Sequence, residues 1–547
     1  MDLTRKINDK LYGLKLNTFE KRIHTTSIIF AILFSTATVI GHALYKTNDF
    51  AAAFCEKGSI ARATGTFVVL LILTFLLTAL AYSFISGKSK KIEAGKFTGF
   101  FAKKKGMLIL WLVIFLSWIP CFLAYFPGIL AYDIIGQNFQ AELQQYTSHH
   151  PPLHTFIWQI CIYLEGVTGV KRVSIYCISQ MILLSYAVSK MISYMASKNA
   201  STLIIVLSLL FFAVNPVCAI VSCLPIKDVY CAIFFILLTL SVCDMISDTE
   251  GFFKSPLKQL AFVLRALLFC LFRNNAVYAL AVAAVIFIVA FRKYIVKAAA
   301  TFLIPLICYA FITGTVFEKL GIQKGSEVEA LSVPLQQIAF VISKHGDEIP
   351  EDIQQDIKTF LPYDFTTIKE AYNPRFADYI KELADMNGGI KPVITVWARL
   401  FMQYPLDFIS SGCTLNLPYW YIGSGATDEF SGRLFIETKL HVTDTMEDWL
   451  RLFPGALEYY ESVAEYRGVV TLFPINLLCS TSLPIWTMLF FMIGCFVKKQ
   501  KYAVIYVIPL LFWCTYLLGP VSAFRYLIPV YVQIPIMIGA CTGMNLY

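Results

Sequence analysis

The 547-residue chain has the composition of a membrane protein. Hydrophobic residues make up 57% of it, charged residues make up 15%, and its mean hydropathy is +0.65. That apolar fraction is too high for a soluble domain. The net charge of +9 comes from basic residues near the ends of apolar runs, which is typical of membrane orientation and of contact with anionic lipids. This pattern argues against a nucleic-acid partner, and we predict an all-α polytopic membrane protein.

The apolar runs, each about 20 residues long, predict twelve membrane spans. In chain order the predicted spans are 25–45, 64–85, 107–126, 172–196, 201–222, 229–247, 258–273, 276–291, 297–316, 474–497, 502–520 and 525–545. The seventh and eighth form one apolar stretch that Arg273-Asn274-Asn275 interrupts. They are therefore either two short spans or a bent pair.

Basic residues near the span ends predict the orientation. The segment before the first span and the 86–106 loop are both rich in Lys and Arg, and Glu93 is the one acidic residue of that loop. If the twelve spans alternate, both segments and both termini are cytoplasmic. The short apolar segment 153–168 is then expected to lie along the outer interface, because a crossing there would invert every later span.

The polar segment 317–470 falls on the outer side in this topology. It contains 23 Asp and Glu against 13 Lys and Arg, a net charge of −10, which leaves +19 for the rest of the chain. We predict four regions: a basic N-terminus with two accessory spans (1–106), a membrane core (107–316) with an outer loop at 127–152, a mixed, mainly helical outer domain (317–470) and a C-terminal three-span bundle (471–547).

Ionisable and polar residues gather at the outer face in this topology. They are Asp133, Gln137, Glu142, His149 and His150 in the first outer loop, Lys227 and Asp228 after the fifth span, Arg273 between the seventh and eighth, and Arg525 with Tyr526 at the start of the last. Charged side chains at the margin of a membrane core face a cavity or one another, because exposure to hydrocarbon is costly. The cations suit a phosphate group, and Asp133 suits an acid, a base or a metal ligand.

Structural alternatives exist for the acidic residue and the histidines. Asp133 is a favoured type of helix N-cap, and His149 and His150 precede a proline pair that would form a rigid turn. His149, His150 and His154 could also bind zinc, because histidine is a common zinc ligand. The prolines between them disrupt the helical i, i+4 spacing that such ligands use.

Structural alternatives exist for the cations as well. Lys227 and Arg525 could extend to lipid head groups at the interface, and Arg273 could satisfy backbone carbonyls at a helix break. The sequence does not decide between these roles and substrate binding.

The order of these motifs resembles the GT-C superfamily of polytopic membrane glycosyltransferases. The motifs are Phe126-Pro127-Gly128 followed by Asp133 and Gln137, then His150-Pro151-Pro152-Leu153, Lys227-Asp228, Arg273-Asn274-Asn275 and Phe524-Arg525-Tyr526-Leu527-Ile528-Pro529. They are similar to those of an uncharacterised bacterial branch of that superfamily. The resemblance covers about 120–300 and 500–535.

The resemblance implies a GT-C-like fold and a reaction at the outer face of a bacterial inner membrane. Members move a sugar from a polyprenyl-phosphate carrier to an acceptor, which here would be an envelope glycan, lipid or protein. The implied mechanism is inverting: Asp133 removes the proton of the acceptor hydroxyl while Arg525 and Lys227, aided by Arg273, stabilise the departing phosphate. The implied substrate-binding residues are Gln137, His149, His150, Lys227, Asp228, Arg273, Arg525 and Tyr526.

The chain departs from the family pattern at the point that concerns a metal. Metal-dependent members have paired acidic residues in the first outer loop, whereas the acidic residue closest to Asp133 in this loop is Glu142. If Mg²⁺ or Mn²⁺ binds, Asp133 and Glu142 are its expected ligands, and no other cofactor is implied.

Two other classes of function remain open from the sequence. Twelve spans is a common number for a secondary transporter or a flippase of lipid-linked saccharides, but such proteins tend to have matching halves and charges near the middle of the bilayer. A noncatalytic assembly partner in envelope synthesis is the third possibility. The charges are predicted at one face of the membrane, and the spans do not form two matching halves. Both features favour the enzyme.

Overall fold

The computed structural model describes residues 18–55, 57–86, 96–425, 435–438, 452–498, 501–542 and 544. Its regular structure is helical, and these described residues contain isolated β-bridges but no strand. The all-α class predicted from the apolar runs is therefore confirmed.

The N-terminal region consists of two long helices and two short ones. They are α1 (Thr18–Thr47), α2 (Phe50–Cys55), α3 (Ser59–Ser86) and α4 (Lys96–Phe101). Helix α1 packs along α3, and Phe30 and Tyr82 of this pair share an apolar cluster with Ile493 near the C-terminus. Much of α3 faces outward, with Leu80 and Phe84 exposed. An exposed apolar surface of this kind suits contact with lipid.

The central region builds the membrane core. Its helices are α5 (Lys104–Ala124), α6 (Ile134–Leu143), α7 (Pro152–Thr168), α8 (Arg172–Ser197), α9 (Thr202–Ala213), α10 (Pro216–Cys223), α11 (Lys227–Ser247), α12 (Thr249–Lys254), α13 (Pro256–Phe272), α14 (Ala276–Ala290), α15 (Ile295–Phe311) and α16 (Phe317–Lys319). Helix α11 packs against α8 and α13 and is largely buried. Its first residue is Lys227, so this buried helix presents a cation at its N-terminal end.

The outer and C-terminal helices follow. They are α17 (Ser332–His345), α18 (Glu351–Lys358), α19 (Phe365–Ala371), α20 (Asp378–Leu383), α21 (Ile390–Gln403), α22 (Pro405–Leu415), α23 (Leu417–Trp420), α24 (Pro454–Ala464), α25 (Leu483–Val497), α26 (Val507–Tyr516), α27 (Phe524–Tyr531) and α28 (Ile534–Thr542). Helix α27 packs against α11 and α26, and thereby brings Arg525 to the same end of the core as Lys227.

Seven helical segments of the described chain are long and apolar enough to cross a membrane. They are Phe19–Thr47, Ser59–Ile85, Lys104–Ala124, Arg172–Ser197, Lys227–Ser247, Arg292–Lys319 and Phe524–Thr542. The predicted span 201–222 is the pair α9 and α10, bent by 52°, and makes an eighth if it is one span. The membrane class is supported by length and composition, and the total of twelve stays a prediction.

The remaining predicted spans coincide with shorter helices. Those at 276–291, 474–497 and 502–520 correspond to the short apolar helices Ala276–Ala290, Leu483–Val497 and Tyr502–Tyr516. The one at 258–273 corresponds to α13, whose 17 residues include Lys258 and Arg265. The proposed break after it is present, because α13 ends at Phe272 and α14 begins at Ala276.

Part of the predicted outer domain has a core of its own. Buried apolar side chains between Leu331 and Phe408 form one cluster. Tyr419, Phe435 and Tyr460, which the sequence assigns to the same domain, instead belong to the large cluster of the membrane helices. The segment 317–470 thus contains both a helical unit and a set of segments that close over the membrane core.

Helix α7 occupies the apolar segment 153–168. It buries His154 and Trp158 against the core, while Ile160 and Tyr163 are exposed on its other face. This two-faced surface is compatible with the predicted position along the outer interface.

Candidate active site

A cavity of about 1080 Å³ lies between the core helices and segments of 317–470. Among the residues that line it are Asp133, His149, His150, Lys227, Arg273, Arg525 and Tyr526. The structure thus brings together seven predicted site residues from four separate parts of the chain. Gln137, Asp228 and Glu142 do not line the described wall of this cavity.

The loop between α5 and α6 delivers Asp133 to the cavity. Gly128 has φ +147°, which is favourable for glycine, and a Cβ at this position would lie 2.5 Å from Val173 Cγ2 on α8. The hydroxyl of Ser174 donates to the Pro127 carbonyl at 2.6 Å, which also fixes the loop on α8. Close contact with α8 therefore requires the glycine of the Phe-Pro-Gly motif and sets the position of the residues that follow.

Asp133 makes ion pairs across the cavity instead of capping a helix. It occupies the N-cap position of α6, but its side chain forms no capping hydrogen bond. Its Oδ2 atom accepts a hydrogen bond from Lys227 Nζ at 2.8 Å and lies 3.0 Å from Arg525 Nη1. The same oxygen is 3.7 Å from His150 Nδ1. The N-cap interpretation is therefore wrong for this structure.

The cluster controls the charge of its members. Burial by itself would raise the pKa of Asp133, but the charges of Lys227 and Arg525 outweigh burial and hold that pKa well below its usual range. Burial and the nearby Lys227 ammonium lower the pKa of His150 to about 2. At neutral pH the site therefore contains an ionised Asp133 and a neutral His150, whose Nδ1 lies 2.9 Å from Lys227 Nζ.

Lys227 is positioned by a break between two helices. Helix α10 ends at Cys223 and α11 begins at Lys227. The Gln180 side chain on α8 donates to the carbonyls of Ser222 and Leu224, at 2.9 and 2.6 Å, and so satisfies backbone groups that the break exposes. Only 11% of the Lys227 side chain is exposed, so it lies inside the protein and does not extend to lipid head groups.

Arg525 contacts two tyrosine rings. Its guanidinium carbon lies 4.5 Å from the centre of the Tyr132 ring and 4.8 Å from that of Tyr526. The start of α27 is fixed by Tyr419, whose hydroxyl accepts a hydrogen bond from the Ala523 amide at 3.0 Å. Cation–π contacts with these two rings help to hold Arg525 near Asp133 and away from lipid.

Arg273 forms a second ion pair next to the first. Its Nη1 lies 2.6 Å from Oδ1 of Asp228, which is fully buried. Its guanidinium also lies 4.4 Å from the centre of the Tyr526 ring, so Tyr526 is in contact with both arginines. Asp228 neutralises Arg273 from behind the cavity wall, and Arg273 itself lines the cavity.

Gln137 lies in a buried hydrogen-bond network instead of the cavity. Its Oε1 is 2.8 Å from His154 Nδ1, and its amide nitrogen donates to Thr155 at 2.9 Å. The Nε2 atom of His154 is 2.6 Å from the Tyr176 hydroxyl. This network joins α6, α7 and α8, which gives Gln137 a clear structural role beneath Asp133.

The carboxylates do not suit a divalent metal ion. The side chain of Glu142 pairs with Arg172, 2.5 Å away, while Asp133 contacts two cations. Among the described residues no group of three or more His, Cys, Asp or Glu side chains is arranged to hold a metal ion. Both ring nitrogens of His154 are already hydrogen-bonded, which also disagrees with zinc binding by the three histidines.

The opposite wall of the cavity carries residues that the sequence did not single out. Glu329 and Asp378 approach Lys381 at 2.9 and 2.7 Å, and His149 Nδ1 lies 3.8 Å from Glu329. Glu437 also lines the cavity, and its backbone amide donates to the Tyr132 hydroxyl at 2.6 Å. These residues lie in the polar segment 317–470, where many similar charges are exposed, so residue type alone could not identify them.

Comparison with known proteins gives a partial match. Residues 145–385 match a family described as a family of unknown function (DUF6020). The matched segment includes His149, His150, Lys227 and Arg273, and it ends before Arg525. No curated protein and no solved structure matches the chain.

Proposed function

We propose that the protein is a membrane glycosyltransferase that moves a sugar from a polyprenyl-phosphate donor to an acceptor at the outer face of the membrane. The observation that carries this proposal is the contact of Asp133 with Lys227 and Arg525 in a large cavity at the end of a bundle of apolar helices. A carboxylate supplies a base, and adjacent cations stabilise a phosphate leaving group. The motif resemblance to the GT-C superfamily supports the same chemistry.

The reaction has a simple atom balance at this site. The acceptor hydroxyl oxygen forms a bond to the anomeric carbon, and the bond from that carbon to the phosphate oxygen breaks. The bonding electron pair stays on the polyprenyl phosphate, where Lys227 and Arg525 stabilise its charge. The hydroxyl proton goes to Asp133. Attack from the side opposite the phosphate gives inversion.

The distribution of charge in the cavity supports a division of roles. Lys227, Arg273 and Arg525 belong to the core helices and the turns between them, where a lipid-linked phosphate would arrive in the proposed topology. Glu329 and Asp378 lie on the wall formed by the outer segments, where carboxylates would accept hydrogen bonds from acceptor hydroxyls. The cavity volume of about 1080 Å³ is large enough for a lipid phosphate and a sugar together.

The test is release of polyprenyl phosphate by the purified protein in lipid nanodiscs. The reactions contain a panel of polyprenyl-phosphate sugars and crude envelope acceptors. We expect release by the wild type, and a loss of at least about 100-fold in Asp133→Asn and Arg525→Ala. Glu142→Gln is the matched control, because it neutralises a carboxylate of the same helix that pairs with Arg172 outside the cavity.

Other results would redirect the proposal. Equal, negligible release from all variants despite donor binding would favour the transporter or flippase, and a flux assay would follow. If substitutions in 317–470 impair envelope assembly while Asp133→Asn has no effect, the result would favour a noncatalytic assembly partner. The bacterial inner membrane, the carrier lipid and the envelope acceptor all belong to this proposal.

A further inference from the structure

One oxygen atom of Asp133 contacts both Lys227 and Arg525. Lys227 Nζ and Arg525 Nη1 lie 2.8 and 3.0 Å from Oδ2. Lys227 and Arg525, which would bind a phosphate, are therefore paired with Asp133, the carboxylate that would accept the hydroxyl proton. In this arrangement the two cations are not free to bind a phosphate, and Oδ2 of the carboxylate is engaged in ion pairs.

We propose that Asp133 occupies the phosphate subsite of the ligand-free protein, and that a phosphomonoester or phosphodiester displaces it by binding Lys227 and Arg525. Its release makes the carboxylate available as a base after the lipid phosphate has bound. The consequence for catalysis rests on the proposed function, whereas the competition for the two cations does not.

The surroundings of the two cations favour a phosphate as the competing ligand. Arg525 is only 8% exposed, and its Nε atom has no hydrogen-bond partner among the described residues. Lys227 is the first residue of the 21-residue helix α11, so the partial positive charge of that helix end adds to its own. Arg273 also contacts the Tyr526 ring that Arg525 contacts. Several cationic groups thus converge where one carboxylate now lies.

Asp133 has a second position available close by. It is the N-cap residue of α6, where the first backbone amides have no partner within the helix. Once released, one carboxylate oxygen can cap those amides while the other faces the cavity. The left-handed conformation of Tyr132, at φ 56°, places the start of α6 at the cavity wall. Its backbone is helical in this structure (φ −73°, ψ −13°), so the change of partners combines rotation of the side chain with a shift of ψ toward the extended conformation that N-cap residues adopt.

The first experiment measures binding of a short-chain polyprenyl monophosphate to the protein in nanodiscs by titration calorimetry. Asp133→Asn removes the competing charge, so we expect the variant to bind the probe about tenfold more tightly than the wild type. Glu142→Gln removes a carboxylate that pairs with Arg172, which also pairs with Glu165, and it should leave the affinity unchanged. Equal or weaker binding by Asp133→Asn would overturn the inference.

A second experiment uses the wild type and so does not depend on the folding of a variant. Modification of Asp133 by a carbodiimide is quantified by mass spectrometry of its peptide, with and without the probe. Carbodiimides react with protonated carboxyl groups, so release from the two cations should increase modification. Unchanged or reduced modification would contradict displacement.

The results separate this inference from the proposed function. If Asp133→Asn binds the probe more tightly but the wild type transfers no sugar, the competition for the two cations is retained and the glycosyltransferase proposal is rejected. Sugar transfer by the wild type with no gain in probe binding by Asp133→Asn would retain the enzyme and reject the competition.

Discussion

Two histidines, His150 in the cavity wall and His154 in the buried network next to it, are held neutral by their environment. Burial lowers the pKa of His154 to about 3, and burial together with Lys227 lowers that of His150 to about 2. Each ring therefore acts as a neutral hydrogen-bonding group at neutral pH. A proton switch near pH 6.5 is not expected from either residue.

The low pKa of His154 predicts acid sensitivity of the fold. In the unfolded chain His154 binds a proton near pH 6.5, but in the folded chain it does so only near pH 3. The contribution of neutral His154 to the free energy of unfolding is therefore fully present above pH 6.5 and decreases as the pH falls toward 3. By pH 4 this residue should cost roughly 3 kcal/mol of unfolding free energy. The measurement is the unfolding free energy in detergent from pH 7 to pH 4.

The matched variant for this prediction is His154→Gln. It loses hydrogen bonds at every pH, but it should show a smaller decrease in stability between pH 7 and pH 4 than the wild type. Equal slopes for the two proteins would show that His154 titrates normally in the folded state.

Short breaks between helices carry the functional groups. Lys227 follows the break between α10 and α11, Arg273 lies between α13 and α14, and Arg525 follows the turn into α27. Backbone polar groups at such breaks need side-chain or backbone partners inside a membrane protein. Gln180 and Tyr419 supply them, which makes these residues structural supports of the site.

The loop before α6 should depend on Gly128. Gly128→Ala would force a side chain into a left-handed backbone conformation and against Val173, so we expect a loss of about 2–4 kcal/mol of stability and displacement of Asp133. The measurements are the thermal midpoint in detergent and binding of the short-chain monophosphate. Gly136→Ala is the control, because a Cβ there meets nothing within 4 Å.

A second substitution distinguishes the two causes of that loss. Adding Val173→Ala to Gly128→Ala removes the closest steric contact but leaves Cys177 Sγ at 3.2 Å and the backbone strain, so partial recovery is expected. No difference between Gly128→Ala and Gly136→Ala would mean that close packing on α8 does not position the loop.

The whole molecule is asymmetric about its proposed membrane plane. In the predicted topology the ion-pair cluster, the cavity and the helical unit between Leu331 and Phe408 fall on the outer side. The predicted cytoplasmic side carries the basic loops instead. This asymmetry favours chemistry at one face over a transport path through the middle.

The orientation can be tested with native Cys55, which is exposed in α2. A membrane-impermeant maleimide should label it from outside intact spheroplasts, and Cys55→Ser should lose this signal. In that background Ser197→Cys, at the exposed C-terminal end of α8, should be labelled only after permeabilisation. The reverse pattern would move the site to the cytoplasmic face and contradict the proposed outer reaction.

Membrane class, helical fold and the collection of charged residues at one face could be predicted because they depend on local properties. The length of an apolar run reflects the bilayer thickness, and basic residues near span ends reflect its orientation. The twelve predicted spans correspond to helices whose lengths vary with tertiary packing, as the bent pair at 201–222 and the short α13 illustrate. Length and hydropathy cannot distinguish such buried or broken helices from simple spans.

The partners of the site residues were decided by tertiary packing. Asp133 and Lys227 are 94 positions apart in the chain, and their contact needs α8 and α11 packed together with the Gly128 loop resting on α8. The same packing directs Gln137 to His154 and Glu142 to Arg172, away from the cavity. Residue type shows which side chains can bind a phosphate or a proton, because that depends on functional groups. Which of them meet in one cavity depends on the directions of side chains from distant helices, and those directions are fixed only when the helices pack.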